Sequence, residues 1–336
     1  MESKYQVLHC HTVFSDGTMS HREVLDICPK YNIGTVAFTD HDILMSDEVF
    51  DDLKSLNHPV KFISGVEITA TVTQEIKENI VSLHIIGLFV DHKNEALSKF
   101  CRVALEIRRE RMNMMVDNFK QLGFFITREE VKKESAEGVV GKPHLVRALL
   151  KNEANHKIIE DFMKKLKERG KEDPSLKARY EEVIQYSLWQ RTFNLFLGND
   201  PIVPNAYTPR SWVVTLDEAV TLIRGAGGIA VLAHPYVYKD KLGLEWIEKL
   251  AREGRIDGIE TVPSFGENSS LLATTDQLEG YRAINRMYGL VAGGGGDYHR
   301  PEDYEITGVH TVELEETKGF LSRIFEKYPQ YRNNVY

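Results

Sequence analysis

Two histidines separated by one residue end an apolar run near the start of the sequence, Val7-Leu8-His9-Cys10-His11. If this run is a strand, both imidazoles point to the same face, because side chains alternate with a period of two. Ser15-Asp16-Gly17 follows directly, and a second apolar run ends at Thr39-Asp40-His41-Asp42. The pattern predicts that His9, His11, Asp16 and His41 converge at one end of a sheet, as metal ligands do.

The same arrangement recurs further along the chain. Apolar runs lead to Glu67, to His84 and to His234, and a glycine run leads to Asp297-Tyr298-His299. Imidazole mixed with carboxylate favours zinc, manganese or iron over calcium or magnesium, and nine ligands exceed the needs of one ion. We therefore expect two or three divalent ions (Mn, Fe or Zn). The candidate ligands are His9, His11, Asp16, His41, Glu67, His84, His234, Asp297 and His299.

Composition excludes several classes of protein. The 336 residues carry a formal net charge of −8, which argues against stable binding of duplex nucleic acid, since such proteins present basic faces. Cys10, Cys28 and Cys101 are too widely spaced for a disulfide framework or a thiolate zinc site. No apolar run reaches a membrane span, and the first residues lack a signal-peptide pattern. We expect a cytoplasmic protein without a membrane partner; its oligomeric state stays open.

The chain changes character twice. Residues 1–95 and 211–336 alternate short apolar strands with helical stretches, which is typical of parallel βα units. Residues 96–210 are charged and helix-forming, as expected of a helical insertion. The predicted fold is α/β: a distorted (β/α)7 TIM-like barrel, built from parallel strands and interrupted by that insertion. In such barrels the functional residues lie at the carboxyl ends of strands, where most of the candidate ligands fall.

Taken in order, these motifs resemble those of the PHP (polymerase and histidinol phosphatase) phosphoesterases, over nearly the full length. The resemblance is closest to a stand-alone subgroup that removes phosphate from nucleoside 3′,5′-bisphosphates or degrades short RNA from its 5′ end. Gly141-Lys142-Pro143-His144-Leu145-Val146-Arg147 looks like the Gly-X-X-His-X-X-Arg motif of its insertion, and Tyr207-Thr208-Pro209 looks like its Tyr-Val-Pro. The substrate is then a phosphorylated small molecule or a short oligonucleotide.

The resemblance also implies roles for single residues. It assigns one ion to His9, His11, Glu67 and Asp297, a second to Glu67, His84 and His234, and a third to Asp16, His41 and His299. Glu67 would bridge two ions, and a metal-bridging hydroxide would attack phosphorus. Glu67 and His144 are the expected catalytic residues, and Lys142, His144 and Arg147 the expected substrate contacts. Cys10 stands where serine or threonine is usual, and the stretch between 150 and 207 is longer than typical.

Other interpretations remain open at this stage. A histidinol-phosphate phosphatase-like enzyme needs the same metals, a metal-dependent amidohydrolase uses similar ligands on a similar barrel, and a PHP module can be a non-catalytic interaction domain. A loop aspartate such as Asp16 is often a helix cap, and a strand histidine such as His84 is often a core residue. Asp40 and Asp42 are expected to orient histidine ligands rather than to bind metal. The remaining histidines are expected at the surface: His21, His58, His92, His156 and His310.

Overall fold

The structure is a computed structural model, and it describes residues 4–73, 80–135, 138–198, 201–209, 214–238, 242–262, 274–305 and 316–336. It divides into two compact units. The first unit comprises Met1–Ala104 and Val213–Tyr336, and the second unit comprises Leu105–Trp212. All nine candidate metal ligands belong to the first unit, whereas the insertion motif from Gly141 to Arg147 belongs to the second.

The first unit contains one mixed sheet. Its strand order is β1-β2-β3-β4-β6-β7-β8, with the short β5 paired to β3. The pairs β1–β2, β2–β3, β6–β7 and β7–β8 are parallel. The strands are β1 (Tyr5–Cys10), β2 (Ile33–Phe38), β3 (Lys61–Thr73), β4 (Ile80–Leu88), β5 (Val214–Thr215), β6 (Ile229–Leu232), β7 (Gly258–Glu260) and β8 (Val291–Gly293).

The prediction that the strands are parallel throughout is wrong for β4, which runs antiparallel to both β3 and β6. The reason is the length of the connection. Only residues 74–79 separate β3 from β4, whereas a parallel crossover needs a dozen or more residues. Because β4 is reversed, His84 approaches Glu67 from the opposite chain direction to the other strands. A mixed α/β sheet is therefore observed in place of regular βα repeats.

The two ends of the sheet approach each other. The Leu8 backbone N–H donates to the Gly294 carbonyl at 2.8 Å, and Cys10 forms a parallel bridge with Tyr298. Within the described residues the link is limited to such contacts, and no continuous ladder joins β8 to β1. A side chain at Gly295 would place its Cβ 2.8 Å from the Val7 Cα atom, and Gly295 has a φ of +135°. The glycine run thus lets the chain pass directly against β1.

Helices cover the sheet and build the second unit. Several begin with a capping box, in which a serine or threonine and a glutamate three residues later satisfy each other's backbone N–H groups, as Ser20 and Glu23 do. The helices are α1 (His21–Ile27), α2 (Asp47–Ser55), α3 (Glu95–Gln121), α4 (Arg128–Glu134), α5 (Lys142–Lys151), α6 (Glu153–Arg169), α7 (Pro174–Val183), α8 (Leu188–Phe196), α9 (Leu216–Gly225), α10 (Leu244–Arg252), α11 (Thr275–Tyr288), α12 (Pro301–Glu305) and α13 (Phe320–Lys327).

Each unit has its own apolar core. In the first unit, the clusters include the sheet residues Val66, Ile85 and Leu232, all fully buried. The second unit is built around four phenylalanines whose contacting ring pairs have centroids 5.2–6.1 Å apart. The four phenylalanines are Phe119, Phe124, Phe162 and Phe196.

Within the described residues, none of the helices combines the length and the apolar character that a membrane-spanning helix needs.

The close passage at Gly295 predicts a stability effect. Gly295→Ala should destabilise the protein by about 1–3 kcal/mol, because the methyl group would overlap the β1 backbone and because its φ suits only glycine. Chemical denaturation measures the free energy of unfolding. Gly225→Ala is the matched control, since a Cβ there meets no atom within 4 Å and its φ is ordinary. Equal stability of the two variants would contradict this account.

Candidate metal centre

The centre of the first unit is the carboxylate of Glu67, which is fully buried and faces five imidazoles. Its Oε1 atom lies 2.9 Å from His84 Nδ1, 3.2 Å from His234 Nε2 and 3.5 Å from His9 Nε2. Its Oε2 atom lies near two further imidazole nitrogens: His41 Nδ1 at 2.8 Å and His11 Nε2 at 3.2 Å.

Two aspartates extend the cluster. Asp16 lies 3.3 Å from His299 Nε2 and 3.7 Å from His41 Nε2. Asp297 Oδ1 lies 3.1 Å from His11 Nε2 and 3.2 Å from His9 Nε2. The structure therefore brings all nine sequence-predicted ligands into one connected group, including Asp16 and His84, for which a cap and a core role were the alternatives.

The backbone explains why these side chains meet. His9 lies on β1 and His11 just beyond it, and the two point the same way, with their Nε2 atoms 3.1 Å apart. His41 follows β2 and bridges to Glu67, since the Glu67 N–H donates to the Asp40 carbonyl and the Asp42 N–H to that of Glu67. Glu67 itself lies in the middle of the thirteen-residue β3, whereas the sequence placed it at a strand end.

Burial divides the cluster into a floor and a rim. The side chains of Glu67, His9 and His11 are fully buried. At the rim, those of His84 and His299 are each 26% exposed and that of Asp297 is 21% exposed. A ligand from solvent would therefore meet the rim residues first, while the floor holds its charges away from water.

A polar turn supports His11 from behind. Asp40 accepts hydrogen bonds from the Thr12 backbone N–H at 2.8 Å and from the Ser15 hydroxyl at 2.5 Å. Ser15 Oγ in turn lies 3.1 Å from His11 Nδ1. Asp40 thus orients a histidine through Ser15, in line with the indirect role expected of it. Cys10 points to the opposite side, where its Sγ atom lies 3.0 Å from the Tyr304 hydroxyl.

Two further residues of the site were not predicted from the sequence. The carboxylate of Glu260, on β7, lies 2.9 Å from His9 Nδ1 and accepts the His234 backbone N–H at 2.6 Å. The Tyr238 hydroxyl accepts the His84 backbone N–H at 2.9 Å and lies 3.1 Å from His234 Nδ1. Both are buried and contact ligands that are distant in sequence. Glu260 lies on β7, the strand next to β6, and Tyr238 follows His234 by four residues, so these two positions are the signals that a search could have used.

Backbone conformation at two ligands is unusual. His234 has a φ of +28° and Asp297 a φ of +53°, a region that side chains other than glycine rarely adopt. Such residues persist where their surroundings hold them in place. For His234, the hydrogen bond to Glu260 supplies that restraint.

One of the histidines expected at the surface is buried. His21 lies in the interior, with its ring edge-on to that of Phe38 and the ring centroids 4.6 Å apart. His310 lies outside the described residues.

The mutual contacts move protonation equilibria far from their usual range. Burial disfavours the charged form of Glu67, but the surrounding histidines, His41 first, outweigh it and hold the pKa of Glu67 well below normal. Burial likewise opposes protonation of His11, yet Asp297 and Glu67 raise its pKa to about 10. At His84, burial prevails and lowers the pKa to about 4. Neighbouring carboxylates thus favour the protonated form of His11, whereas burial favours the neutral form of His84.

This donor set fits divalent metal ions. Two ligands that each stand about 2.1 Å from one ion are about 3.0–3.4 Å apart in octahedral or tetrahedral geometry. The separations between candidate ligand atoms around Glu67 and Asp297 lie in or near this range, from 2.8 to 3.5 Å. Imidazole nitrogens also face each other, as His84 Nδ1 and His234 Nε2 do at 3.2 Å. The lone pairs of two such nitrogens could bind the same cation.

The spatial grouping differs in part from the sets that the resemblance implied. Among the described residues, three groups have ligand atoms mutually close enough for one ion: His9, His11 and Glu67; His41, Glu67 and His84; and His11, Asp16, His41 and His299. Asp297 and His234 border the first two through the contacts given above. The difference lies in His11 and His41, which each belong to two groups. In each of these rings, one nitrogen faces Asp16 and the other faces Glu67.

The insertion motif lies on α5 in the second unit. His144 is buried, and its Nδ1 accepts the Gly141 backbone N–H at 2.8 Å, which caps the helix and leaves the proton of a neutral ring on Nε2. Arg147 Nε lies 3.9 Å from Glu134, and the ammonium of Lys142 lies 4.7 Å from the centroid of the Tyr207 ring. His144 is thus buried, whereas an unpartnered polar residue on a surface helix would be exposed to solvent.

Comparison with known proteins now identifies the family. The sequence profile of the PHP domain matches residues 8–186, which is more than half of the chain. The chain belongs to the PHP family. It is 24% identical over 298 residues to the 5′-3′ exoribonuclease Rnm of Escherichia coli K12, covering 88% of this chain and 85% of the relative. It is also 24% identical over 311 residues to the 3′,5′-nucleoside bisphosphate phosphatase of Chromobacterium violaceum, covering 91% of each.

Solved structures agree on the fold. A protein from Bifidobacterium adolescentis assigned as a metal-dependent phosphoesterase superposes with a TM-score of 0.66 at 23% identity, covering 96% of this chain and 97% of that one. An amidohydrolase from Chromobacterium violaceum, solved with bound sulfate and no metal, gives 0.67 at 22% identity, covering 99% and 97%. The family and the cluster together make this PHP chain a metal-dependent phosphoesterase, and hence a hydrolase.

Metal loading should release protons. Imidazole binds metal only when neutral, and the raised pKa of His11, about 10, keeps that ring protonated near pH 7.5 before an ion enters. Affinity should therefore increase as the pH rises towards about 10. Calorimetric titration with Mn²⁺ in two buffers of different ionisation enthalpy measures the number of protons released. A binding enthalpy that does not depend on the buffer would contradict the protonation state described here.

Glu260 provides a test of how the ligands are held. Glu260→Gln should weaken metal binding about 10- to 100-fold, because an amide has one accepting oxygen and cannot serve both His9 and the His234 backbone. Dissociation constants for Mn²⁺ from competition with a chelating dye give the measurement, with thermal unfolding as a check on folding. Glu253→Gln, at an exposed position, is the control. Unchanged affinity in Glu260→Gln would show that this carboxylate has no part in orienting the ligands.

Proposed function

We propose that this phosphoesterase hydrolyses phosphate monoesters of nucleotides, namely nucleoside 3′,5′-bisphosphates, short 5′-phosphorylated RNA, or both. The observation that carries the proposal is the fully buried Glu67 carboxylate, whose two oxygens face different sets of imidazoles at 2.8–3.5 Å. A carboxylate shared in this way suits two or three ions, Mn, Fe or Zn, held side by side. The two relatives named above support the nucleotide class, since their names refer to RNA and to a nucleoside bisphosphate.

The ions would supply the chemistry that protein side chains lack. Bound divalent cations neutralise phosphoryl oxygens and lower the pKa of water from about 15.7 towards 7. Glu67, His9 and His11 on the floor of the site would hold them together with His84 and His234. Asp16, His41, Asp297 and His299 would complete the set. Glu260 and Asp40 hold the imidazoles in a fixed orientation. Because the rim residues are partly exposed, a phosphate group from solvent could reach the site.

The second unit would contribute substrate contacts. The proposed residues are Lys142, His144 and Arg147, of which His144 offers an Nε2–H donor because Nδ1 is engaged by Gly141. Arg147 can grip a phosphate with two parallel hydrogen bonds, and Lys142 adds a point charge. His144 would also protonate the leaving oxygen of the ester. The insertion, which we assigned to 96–210, would thereby form a wall of the substrate pocket.

A hydrolysis screen tests the substrate class. With Mn²⁺ present, adenosine 3′,5′-bisphosphate and short 5′-phosphorylated RNA should be turned over with a higher kcat/KM than histidinol phosphate, and an amide panel should not be cleaved. Release of inorganic phosphate and of nucleotides is measured for each compound. Preference for histidinol phosphate, or for an amide, would replace the nucleotide assignment by one of those two activities.

The same assay tests the role of Glu67. Glu67→Gln should lower kcat by about 10³-fold or more, which corresponds to about 4 kcal/mol of lost transition-state stabilisation, while KM changes little. The physical reason is that one neutral amide cannot bridge two cations as a carboxylate does. Glu253→Gln should keep normal turnover. Near-normal kcat in Glu67→Gln would place the reacting centre elsewhere.

A further inference from the structure

The second unit contains a buried cation that has no anionic partner among the residues that the structure describes. Arg111, on α3, is 9% exposed, and its Nε donates to the Thr208 carbonyl at 2.6 Å. Its Nη2 atom is buried and has no hydrogen-bond partner among the residues that the structure describes. No carboxylate in that part of the chain lies within ion-pair distance of it.

A guanidinium in this position is costly to the free protein. Arginine stays charged in proteins, and a buried charge is normally paired or fully hydrogen-bonded. Burial lowers the pKa of Arg111, Tyr207 partly offsets this effect, and Arg108 adds to it. A cation held in this way is poised to bind an anion, and the low local dielectric strengthens that interaction.

A second cation lies on the same aromatic ring. The guanidinium carbon of Arg111 is 5.1 Å from the centroid of the Tyr207 ring, and Lys142 Nζ is 4.7 Å from it. Lys142 also lies 5.8 Å from the Phe193 ring centroid. Two positive groups thus converge on Tyr207, although like charges repel each other. An anion between or beside them would relieve that repulsion.

Arg147, the arginine of the insertion motif, differs in this respect. Arg147 Nε faces the Glu134 carboxylate at 3.9 Å, and the same carboxylate pairs with Lys151 at 2.6 Å. Glu134 therefore already balances positive charge on α5. Arg111, which the sequence pattern did not single out, has no such counter-ion among the described residues.

We propose that Arg111, Lys142 and Tyr207 form a binding site for a terminal phosphate group of the nucleotide substrate, the phosphate that is not hydrolysed. The planar guanidinium suits two phosphate oxygens at once and the ammonium a third, which favours phosphate over a carboxylate ligand. The identity of the ligand rests on the proposed function. Either a bisphosphate or the end of an RNA strand could present this group, so both substrates are compared.

The test uses the full-length, manganese-loaded protein with Arg111→Met and the control Arg109→Met, which removes an exposed arginine from the same helix. Three quantities are measured: the thermal unfolding midpoint, the Kd for adenosine 5′-monophosphate by calorimetry, and kcat/KM. The kinetic substrates are adenosine 3′,5′-bisphosphate, 5′-phosphorylated RNA and p-nitrophenyl phosphate, which has no second phosphate.

Arg111→Met should unfold at the same temperature as the wild type or higher, because an unpaired buried charge is removed. Its Kd for adenosine 5′-monophosphate should rise about 10- to 100-fold. Its kcat/KM should fall by a similar factor on whichever nucleotide supplies the second phosphate, and should not change on p-nitrophenyl phosphate. Arg109→Met should match the wild type throughout.

A lower unfolding temperature with equal kinetic losses on all substrates would make Arg111 a structural residue and overturn the proposal, as would unchanged Kd and kinetics. These results are separable from a failure of the proposed function. If the wild type hydrolyses neither nucleotide, the function is wrong, while a weaker Kd in Arg111→Met alone would still locate the phosphate site.

Discussion

The structure of the first unit depends on one constraint: a fully buried carboxylate, Glu67, must be surrounded by cations or by groups that can hold them. A buried carboxylate without such partners would be protonated or would unfold its surroundings. Five imidazoles meet this requirement within 3.5 Å, and they come from β1, from the segments after β1 and β2, from β4 and from the end of β6. The sheet curls and reverses one strand around this point.

The surrounding layer explains how crowded imidazoles keep a fixed geometry. Glu260 joins His9 on β1 to the backbone of His234 just after β6, and Asp40 fixes the turn that supports His11. The hydrogen bond from the His234 backbone N–H to Glu260 also restrains His234 in its left-handed conformation, with a φ of +28°. Fixed ligand positions matter for a metal centre. If the ligand side chains moved apart, the affinity for the ions would fall and the pKa shifts of the ligands would be lost.

Local patterns predicted the parts of the site that depend on local geometry. The His-X-His spacing placed His9 and His11 on one face, and ligand-type residues after apolar runs placed His41, His234 and Asp297 near them. The reversal of β4 was missed because apolar runs do not show strand direction. Glu260 and Arg111 were missed because their roles follow from partners far away in sequence, or from the lack of a partner. Neither kind of contact produces a regular residue spacing that a single sequence would reveal.

The most direct test of the central claim is a crystal structure of the manganese-loaded protein with anomalous diffraction data. We expect at least two anomalous peaks about 3.5–4 Å apart, with the two carboxylate oxygens of Glu67 bound to different ions. His9 and His11 would lie beside one peak, and His84 beside the other. A single ion, or ions that leave Glu67 uncoordinated, would contradict the account of this carboxylate as the shared centre of the site.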